Sequence, residues 1–349
     1  MAKHPISEAR IRSFGPFKDI SVRMSDGLNI IIGDNASGKS QLLKLLYSST
    51  KSLKDASTLT KRELSGDIAS KLVGVYQPQQ LGRLTRRVQG HSTAKVTVKF
   101  KQIAEPLAYA FSSRAKSEVV IESFPSRKLS DDPVFLPSHE LLSLGARFIA
   151  LYNAYDTGFE ETWRDTVELL QRPALRGPRG EDASHVLEPF SKLLQGGSVV
   201  EKDGQFFLKQ PGIGNLEAPL LAEGHRKLAM IVRLIANGVL LEGGYLFWDE
   251  PEANLNPASQ KAVAEALVYL AKNGTQVFAA THSMFLLREI QMLAEENTPR
   301  YIGLHRQTSS VDTIATAEVA AQQGSDLDDL EFVAAMDAEA EQAERYFSW

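Results

Sequence analysis

The feature that most constrains this chain is a glycine-rich segment between a predicted strand and a predicted helix. Residues 28–32 form a short apolar run, and the segment that follows is Gly33-Asp34-Asn35-Ala36-Ser37-Gly38-Lys39-Ser40. Behind it, leucines recur at the spacing of one helix face, at positions 42, 43, 45 and 46. A strand, a turn of the form G-x-x-x-x-G-K-[ST] and a helix together predict a P-loop, whereas a purely structural glycine turn requires neither flank.

Each residue type in this segment suits the binding of a nucleoside triphosphate. Glycines allow successive backbone N–H groups to point into one concavity, and the helix N-terminus adds the positive end of its dipole. In a P-loop the lysine, here Lys39, reaches the β- and γ-phosphates, and the hydroxyl, here Ser40, ligates Mg²⁺. We therefore predict that ATP and Mg²⁺ bind here, with nucleotide contacts from Gly33, Asp34, Asn35, Ala36, Ser37, Gly38, Lys39 and Ser40.

A second apolar run ends in two carboxylates. Residues 245–248 read Tyr-Leu-Phe-Trp, and Asp249 and Glu250 follow them. On a strand that ends beside the P-loop, we expect Asp249 to hold Mg²⁺ and Glu250 to polarise the attacking water. An ordinary strand-to-turn boundary also favours Asp and Pro, and it is the presence of a P-loop that favours the catalytic interpretation.

A third apolar run, residues 276–281, ends at His282. A histidine at a strand end is commonly structural or solvated, so its role depends on the other motifs. Beside a P-loop, the ring of His282 can reach the γ-phosphate and sense its presence. We therefore predict that Lys39, Glu250 and His282 form the catalytic set.

The amino-acid composition limits the cellular compartment and the classes of partner that we expect. The formal net charge is −4, so any contact with nucleic acid must come from a local basic patch. Cysteine is absent, which excludes disulfides, thiolate metal sites and cysteine catalysis. The N-terminus lacks the apolar core of a signal peptide, and the most apolar stretches are interrupted by charge or glycine. These observations predict a soluble, cytoplasmic protein that makes no membrane contact.

Together these segments resemble the ABC-type ATPase head, in the branch that contains SMC proteins, RecF and stand-alone bacterial AAA-family ATP-binding proteins. Residues 11–17 are similar to the opening strand of that branch, residues 249–257 to its Walker B motif and D-loop, and residues 280–283 to its switch-histidine segment. The segment that identifies the branch is Leu221-Ala222-Glu223-Gly224-His225-Arg226-Lys227-Leu228, which resembles the ABC signature.

The resemblance implies that two heads sandwich two nucleotides. Glu223, Gly224 and Arg226 would then contact the ATP held by a second copy, in a homodimer or higher oligomer of heads. Ala222 stands where the family often has serine, and the loss of that hydroxyl weakens the sandwich by about 1–2 kcal/mol. A Q-loop glutamine is also implied. Gln77 is the candidate, although two further glutamines follow it and a plain solvated loop explains the segment equally well.

The resemblance also implies the fold, an α/β P-loop NTPase head with a mixed sheet, an antiparallel β segment and a helical insertion. Alternation over residues 95–100 predicts a half-buried strand, and Asp203-Gly204 predicts a hairpin turn. We divide the chain into an N-terminal ATPase lobe (1–128), a helical insertion whose first helix is capped by Ser138 (129–198), a lobe with the signature, Walker B and switch histidine (199–310), and an acidic helical tail (311–349).

The motifs leave several functions open. A head whose nucleotide cycle controls a separate effector, such as a nuclease or toxin in bacterial phage defence, fits the acidic balance of the chain. The alternative is a RecF-like ATPase of DNA repair that contacts DNA itself, for which the arginines at 83, 86 and 87 and between 172 and 180 are candidates beside a solvated-loop interpretation. The 67 residues after His282 are too few for an added TOPRIM nuclease, and a transporter subunit ranks last.

Overall fold

A computed structural model of the chain describes residues 2–87, 90–241, 243–294, 298–307, 318–331 and 333–347. Within these ranges the central element is a six-stranded sheet in which only the outermost pair, β13 and β14, is antiparallel. Its strands, in spatial order, are β14 (Glu318–Gly324), β13 (Arg300–Gln307), β3 (Leu28–Gly33), β12 (Thr275–Thr281), β11 (Gly244–Asp249) and β7 (Pro133–Leu136).

The central strands are apolar on both faces because each face is covered. Along β3, Ile30 and Ile32 face one hydrophobic core, whereas Ile31 faces the other. On β11, Trp248 and Phe247 separate in the same way. Strands buried on both sides read as continuous hydrophobic runs, which explains why residues 28–32 and 245–248 show no polar alternation.

One face of this sheet carries the P-loop helix and a second, antiparallel sheet. Helix α1 spans Lys39–Asp55 and α2 spans Lys61–Tyr76, where Thr60 caps the N-terminus by accepting a bond from the Glu63 amide. The antiparallel sheet runs, in spatial order, through β2 (Phe17–Arg23), β1 (Ile6–Phe14), β4 (Thr93–Phe100), β5 (Leu107–Ser112) and β6 (Val120–Ser123). Strand β4 confirms the strand predicted over residues 95–100.

The opposite face is covered by three helices that follow the insertion. Helix α6 spans Glu223–Ala236, α7 spans Pro257–Lys272 and α8 spans Met284–Leu293. Helix α7 begins where its sequence dictates, because Asn256 accepts a bond from the Ser259 amide and proline occupies the first turn. Apolar residues of α6 and α7, such as Ile231 and Leu267, are fully buried against the sheet.

The helical insertion comprises α3 (Gly145–Ala154), α4 (Glu161–Gln171) and α5 (Pro178–Leu193). A small antiparallel sheet follows it, with β8 (Ser198–Lys202), β9 (Gln205–Gln210) and β10 (Gly214–Glu217). Asp203 and Gly204 both have positive φ, which matches the tight turn predicted between β8 and β9.

The prediction that Ser138 begins the first insertion helix is wrong. Residues 137–144 form a loop, and α3 starts at Gly145, whose φ is +61°. Tertiary packing decides this outcome: Leu141 and Leu142 are buried, and the Leu141 amide lies 3.3 Å from the sulfur of Met230. Burial of two leucines outweighs the local capping preference of one serine.

A buried polar network joins α4 of the insertion to α1 and α2. The Tyr47 hydroxyl donates to Asp165 at 2.7 Å, and the Lys71 ammonium lies 3.0 Å from the same carboxylate and 2.6 Å from Glu161. Burial raises the pKa of the Tyr47 hydroxyl well above its usual value, and the Asp165 charge adds to the shift. The insertion is therefore bonded to the P-loop helix.

The C-terminal helix α9 spans Ala334–Phe347 and extends largely into solvent, with Tyr346 79% and Phe347 85% exposed. An ion pair between Glu339 and Arg288 of α8 attaches it to the head. Residues 308–317, where the predicted tail begins, lie outside the described residues. Among the helices that are described, none combines the length and the apolar character needed to cross a membrane.

The structure therefore has the predicted architecture of an α/β head with a mixed sheet, an antiparallel β segment and inserted helices. The division into four segments, with boundaries placed after residues 128, 198 and 310, remains a proposal.

The Asp165 network provides a test of how the insertion is held. We expect Asp165→Asn to lower the free energy of unfolding by about 3 kcal/mol, because it removes a buried charge that neutralises Lys71. The matched control is Glu122→Gln, which breaks the exposed Lys95–Glu122 pair and costs about 0–1 kcal/mol. Urea denaturation of both variants checks this. Equal destabilisation of the two would contradict the proposed role of the network.

Candidate functional site

The site forms where the parallel strands end. In the strand register Ile32 lies beside Thr281, Asp249 beside Ala280, and Trp248 beside Leu136. Chain segments that follow β3, β12, β11 and β7 therefore emerge at one edge of the sheet, which is where ligands bind in open α/β sheets. This edge brings together the P-loop, the two carboxylates after β11, His282 and the loop after β7.

Two glycines of the P-loop are required by close backbone approaches. A Cβ atom at Gly33 would lie 2.3 Å from the Leu304 carbonyl oxygen and 2.6 Å from the Ser37 hydroxyl. At Gly38, where φ is +97°, it would lie 2.7 Å from the Phe17 ring. Ala36 also has a positive φ, of 63°. The chain thus curls tightly between β3 and α1, which is the geometry that points successive N–H groups inward.

The N-terminus of α1 is available to an anion. Gly38 is the cap residue and offers no side-chain acceptor, and the first turn of the helix contains no acidic residue. The Lys39 ammonium donates to the carbonyl oxygens of Gly33 at 2.7 Å and Asp34 at 3.0 Å, so its charge lies over the loop. An uncapped helix start next to a lysine is a strong site for phosphate oxygens.

Burial acts on both charged groups at the centre of the site. It lowers the pKa of Lys39, and the carboxylates of Glu250 and Asp249 oppose that shift. It raises the pKa of Asp249, while the interaction with the Ser40 hydroxyl opposes that shift. Phosphate oxygens near Lys39 and a cation near Asp249 would each favour the charged form that burial disfavours.

The residues present fit Mg²⁺. The Oδ1 atom of Asp249 is buried and accepts no hydrogen bond from the described residues, which is costly for a carboxylate unless a cation binds it. The hydroxyl of Ser40 faces the same carboxylate. Within the described residues no group of three or more His, Asp or Glu side chains forms a metal site. The protein thus offers one carboxylate and one hydroxyl, as expected where Mg²⁺ completes its shell with phosphates and water.

The segments that follow β11 and β12 place three ionisable groups together. Glu250 has a positive φ of 47°, and its side chain is partly exposed at the sheet edge. The ring nitrogen Nδ1 of His282 lies 3.8 Å from the Glu250 carboxylate and 3.5 Å from that of Glu252. Glu250 thus lies at the surface of the site next to a histidine, and its role as the water-activating base remains a prediction.

Glu252 is a residue of the site to which the sequence interpretation gave no role. It is 5% exposed, and its Oε1 accepts bonds from the Thr281 hydroxyl at 2.7 Å and the His282 amide at 3.0 Å. It therefore fixes the end of β12 against the loop after β11. The available signal was its position two residues after Glu250.

The signature segment is tied to the same loop. The Lys227 ammonium is buried and donates to the Ala253 carbonyl at 2.6 Å, and the Asn254 amide donates to Glu223 at 3.2 Å. Burial lowers the pKa of Lys227, which the charge of Glu223 partly offsets. Ala222 precedes α6 and provides no side-chain cap, so the helix N-terminus keeps its free N–H groups.

Two predicted nucleotide contacts are occupied by bonds within the chain. The Arg226 guanidinium donates to the Leu221 carbonyl at 2.8 Å and lies 3.0 Å from Glu140. Gln77 ends α2, and its amide donates to the carbonyls of Gly74 and Phe159. Both remain predictions as nucleotide ligands, as do Glu223 and Gly224.

A cavity next to Asp249 contains residues that the sequence interpretation missed. Its volume is about 340 Å³, and its polar lining includes Lys44, Ser138, His139 and Glu160. Lys44 on the P-loop helix forms an ion pair with Glu160 at the start of α4. Ser138 and His139 reach the cavity because they follow β7, whose pairing with β11 no local pattern reveals.

The P-loop geometry predicts the effect of removing its lysine. We expect Lys39→Ala to weaken ATP binding at least ~100-fold, because the variant loses charged hydrogen bonds to phosphate. The matched control is Lys51→Ala on the same helix, whose lysine forms an ion pair with Asp55. Isothermal titration with ATP measures both. Wild-type affinity in the Lys39 variant would refute the assignment of the P-loop.

Comparison with solved structures places this fold among SMC heads. A Pyrococcus furiosus Smc head domain with an extended coiled coil, bound to the C-terminal domain of ScpA, superposes with a TM-score of 0.54 at 13% identity and covers 91% of this chain and 96% of that one. An SmcHead bound to the C-winged helix domain of ScpA gives a TM-score of 0.53 at 14% identity, with 91% and 97% covered. These likenesses establish the fold.

Sequence comparison yields a partial relative. The lipoprotein-releasing system ATP-binding protein LolD of Aquifex aeolicus (strain VF5) is 26% identical over 122 residues, which are 34% of this chain. The chain covers about half the length of that relative, 53%.

The family comparison covers the site itself. The family described as "AAA domain, putative AbiEii toxin, Type IV TA system" matches residues 28–288, from β3 to α8. This range contains the P-loop, the insertion, the signature segment, the carboxylates after β11 and His282. ABC-type heads of this kind bind ATP at the P-loop, as the geometry described above requires. The chain belongs to this family of AAA-domain P-loop ATPases.

Proposed function

We propose that this chain is an ATP-driven switch: it holds ATP with Mg²⁺ at the P-loop, pairs with a second copy across two nucleotides, hydrolyses them, and thereby controls a separate effector protein. The observation that carries the proposal is the physical link between the signature helix and the catalytic loop. Lys227 and Glu223 of α6 bond to Ala253 and Asn254, directly after the carboxylates of β11.

Within one head, each residue has a defined task. The backbone N–H groups of residues 33–38 and the Lys39 ammonium bind and orient the phosphates. Ser40 and Asp249 would hold Mg²⁺, which supplies positive charge to the phosphate oxygens when bound. Glu250 accepts a proton from the attacking water. His282 lies beside Glu250 and senses the presence of the γ-phosphate through the negative charge that this group adds.

The second copy supplies what one head lacks. Helix α6 begins directly after Ala222, and no side chain caps its N-terminus. A helix N-terminus of this kind binds a phosphate group. The P-loop site of each chain already uses the N-terminus of α1. The N-terminus of α6 therefore suits a nucleotide that is bound to the P-loop of another copy. Because α6 is bonded to Ala253 and Asn254, and the Ala253 amide donates to the Glu250 carbonyl, docking of a second nucleotide would reach Glu250 through this loop.

A separate effector is supported by the comparisons. The family description associates this AAA domain with a toxin–antitoxin system. Two SMC heads of the same fold are complexed with a domain of ScpA, so this architecture can serve as a platform for a partner protein. We propose an effector such as a nuclease or toxin in bacterial phage defence, governed by head pairing.

The catalytic base can be separated from nucleotide binding. We expect Glu250→Gln to retain ATP, lower hydrolysis at least ~100-fold through loss of the proton acceptor, and accumulate the paired state. Phosphate release and light scattering with ATP and Mg²⁺ measure the two effects.

The matched control is Glu265→Gln on α7, which we expect to hydrolyse ATP at the wild-type rate. Turnover at that rate by the Glu250 variant would show that Glu250 is not the base. Loss of hydrolysis with no pairing at any ATP concentration would contradict the two-copy arrangement.

A further inference from the structure

One segment of this acidic chain contains cations but no carboxylates. Between Asp67 and Glu105 there is no carboxylate, although the formal net charge of the whole chain is −4. The same segment contains seven cations: Lys71, Arg83, Arg86, Arg87, Lys95, Lys99 and Lys101. Such a local excess creates a positive field that the global balance conceals.

The arginines of this segment line a cleft of about 330 Å³. We call it the arginine cleft and define it by Arg83, Thr85, Arg86, Arg87, Ser92 and Ser113. None of the described residues that line it is acidic, and its remaining lining is glycine and glutamine. The exposed guanidinium groups of Arg83 and Arg87, beside hydroxyls, form a set of donors that suits phosphate oxygens.

Arg83 and Arg87 differ from the lysines of this segment in that they have no carboxylate partner among the described residues. Lys71, Lys95, Lys99 and Lys101 each form an ion pair with a carboxylate. By contrast, no carboxylate of the described residues pairs with Arg83 or Arg87, and both side chains are exposed. Their charge is therefore available to a ligand.

The cleft is firmly built. The Arg86 side chain is 7% exposed and donates to the Pro16 carbonyl at 2.6 Å, and its amide donates to Ser13. On the other side, the Gly82 amide donates to the Ala115 carbonyl, where a Cβ on Gly82 would lie 2.3 Å from the Ser113 carbonyl oxygen. The wall of the cleft is thus formed by two turns in direct contact.

The second turn extends the positive surface. Arg114 and Lys116 lie between β5 and β6, both are exposed, and neither forms an ion pair with a described carboxylate. A row of cations that continues beyond the cleft matches a ligand with repeated negative charge better than a single phosphate. Among the described residues that line the cleft, none is a large apolar side chain of the kind that protein partners bury.

From these observations we propose that the arginine cleft binds the phosphodiester backbone of a nucleic acid. The proposal does not depend on the effector described above. The cleft is also in contact with the ATP site through one turn. The Arg86 side chain donates to the Pro16 carbonyl, and the side chains of Pro16 and Phe17 lie against Gly38 of the P-loop. A nucleic acid in the cleft would therefore contact a turn that packs on the nucleotide cradle.

The test is a charge reversal with a matched control. Arg83→Glu/Arg87→Glu is compared with Lys202→Glu/Lys209→Glu, which makes the same change in net charge on the separate sheet formed by β8 to β10. Binding of fluorescently labelled single-stranded and duplex DNA and of RNA is measured over a range of salt concentrations. We expect the wild type and the control to bind with affinity that falls as salt rises, and the cleft variant to bind at least ~10-fold more weakly with a salt slope lower by about 2.

The source of the phosphate is resolved in the same assay. Competition with inorganic phosphate and with ATP, and titration with anionic lipid vesicles, are carried out in parallel. The proposal is overturned if the wild type binds no nucleic acid, if both double variants lose binding equally, or if only vesicles bind. It is also overturned if the cleft variant loses ATP affinity while keeping that for nucleic acid, since the cleft would then serve the nucleotide. Single Arg83→Ala and Arg87→Ala variants provide the same readout if the double variant does not fold.

Discussion

The structure depends on one constraint: four parallel strands are buried on both faces and must end at a common edge. In strands such as residues 28–32 and 245–248, alternate side chains pack into two hydrophobic cores on opposite faces of the sheet. A shift of one residue would exchange these side chains between the cores, so the register of the strands is strongly specified. Because the register is specified, the groups that follow each strand are placed at the same edge of the sheet. The P-loop, Asp249 and His282 owe their proximity to this packing, and the polar bonds of Glu252 then refine it.

Two sets of bonds connect the site at this edge to neighbouring elements of the molecule. Lys44 and Tyr47 on the P-loop helix bond to Glu160 and Asp165 of the insertion. On the other side, Lys227 joins the signature helix to the loop after β11. A change at the nucleotide therefore has direct covalent and hydrogen-bonded routes to both α4 and α6. This arrangement suits a switch, since each route ends on an element that a second molecule can contact.

The sequence was sufficient wherever a motif is contiguous. The strand, turn and helix around Gly33 and Lys39 are local, and so is the run that ends at Asp249, so patterning predicted both. The α/β architecture was implied by the family resemblance that these motifs carry. It failed where long-range packing decides. The helix expected at Ser138 begins at Gly145, because Leu141 and Leu142 are drawn into the core. His139 lines the cavity next to Asp249 because β7 pairs with β11, and the four apolar residues of β7 do not reveal that pairing in the sequence.

The central claim is that each ATP site is completed by the signature helix of a second copy, and mixing two inactive variants tests it most directly. Lys39→Ala disables the P-loop, and Ala222→Asp fills the anion site at the start of α6 with a carboxylate, which is also a favourable helix cap. We expect neither variant alone to hydrolyse ATP and their mixture to regain up to about a quarter of the wild-type rate, because random pairing restores one intact site in half of the dimers. Mixtures with the Lys39→Ala/Ala222→Asp double variant should stay inactive. No recovery from two folded, exchanging variants, or full activity of Ala222→Asp alone, would contradict the claim.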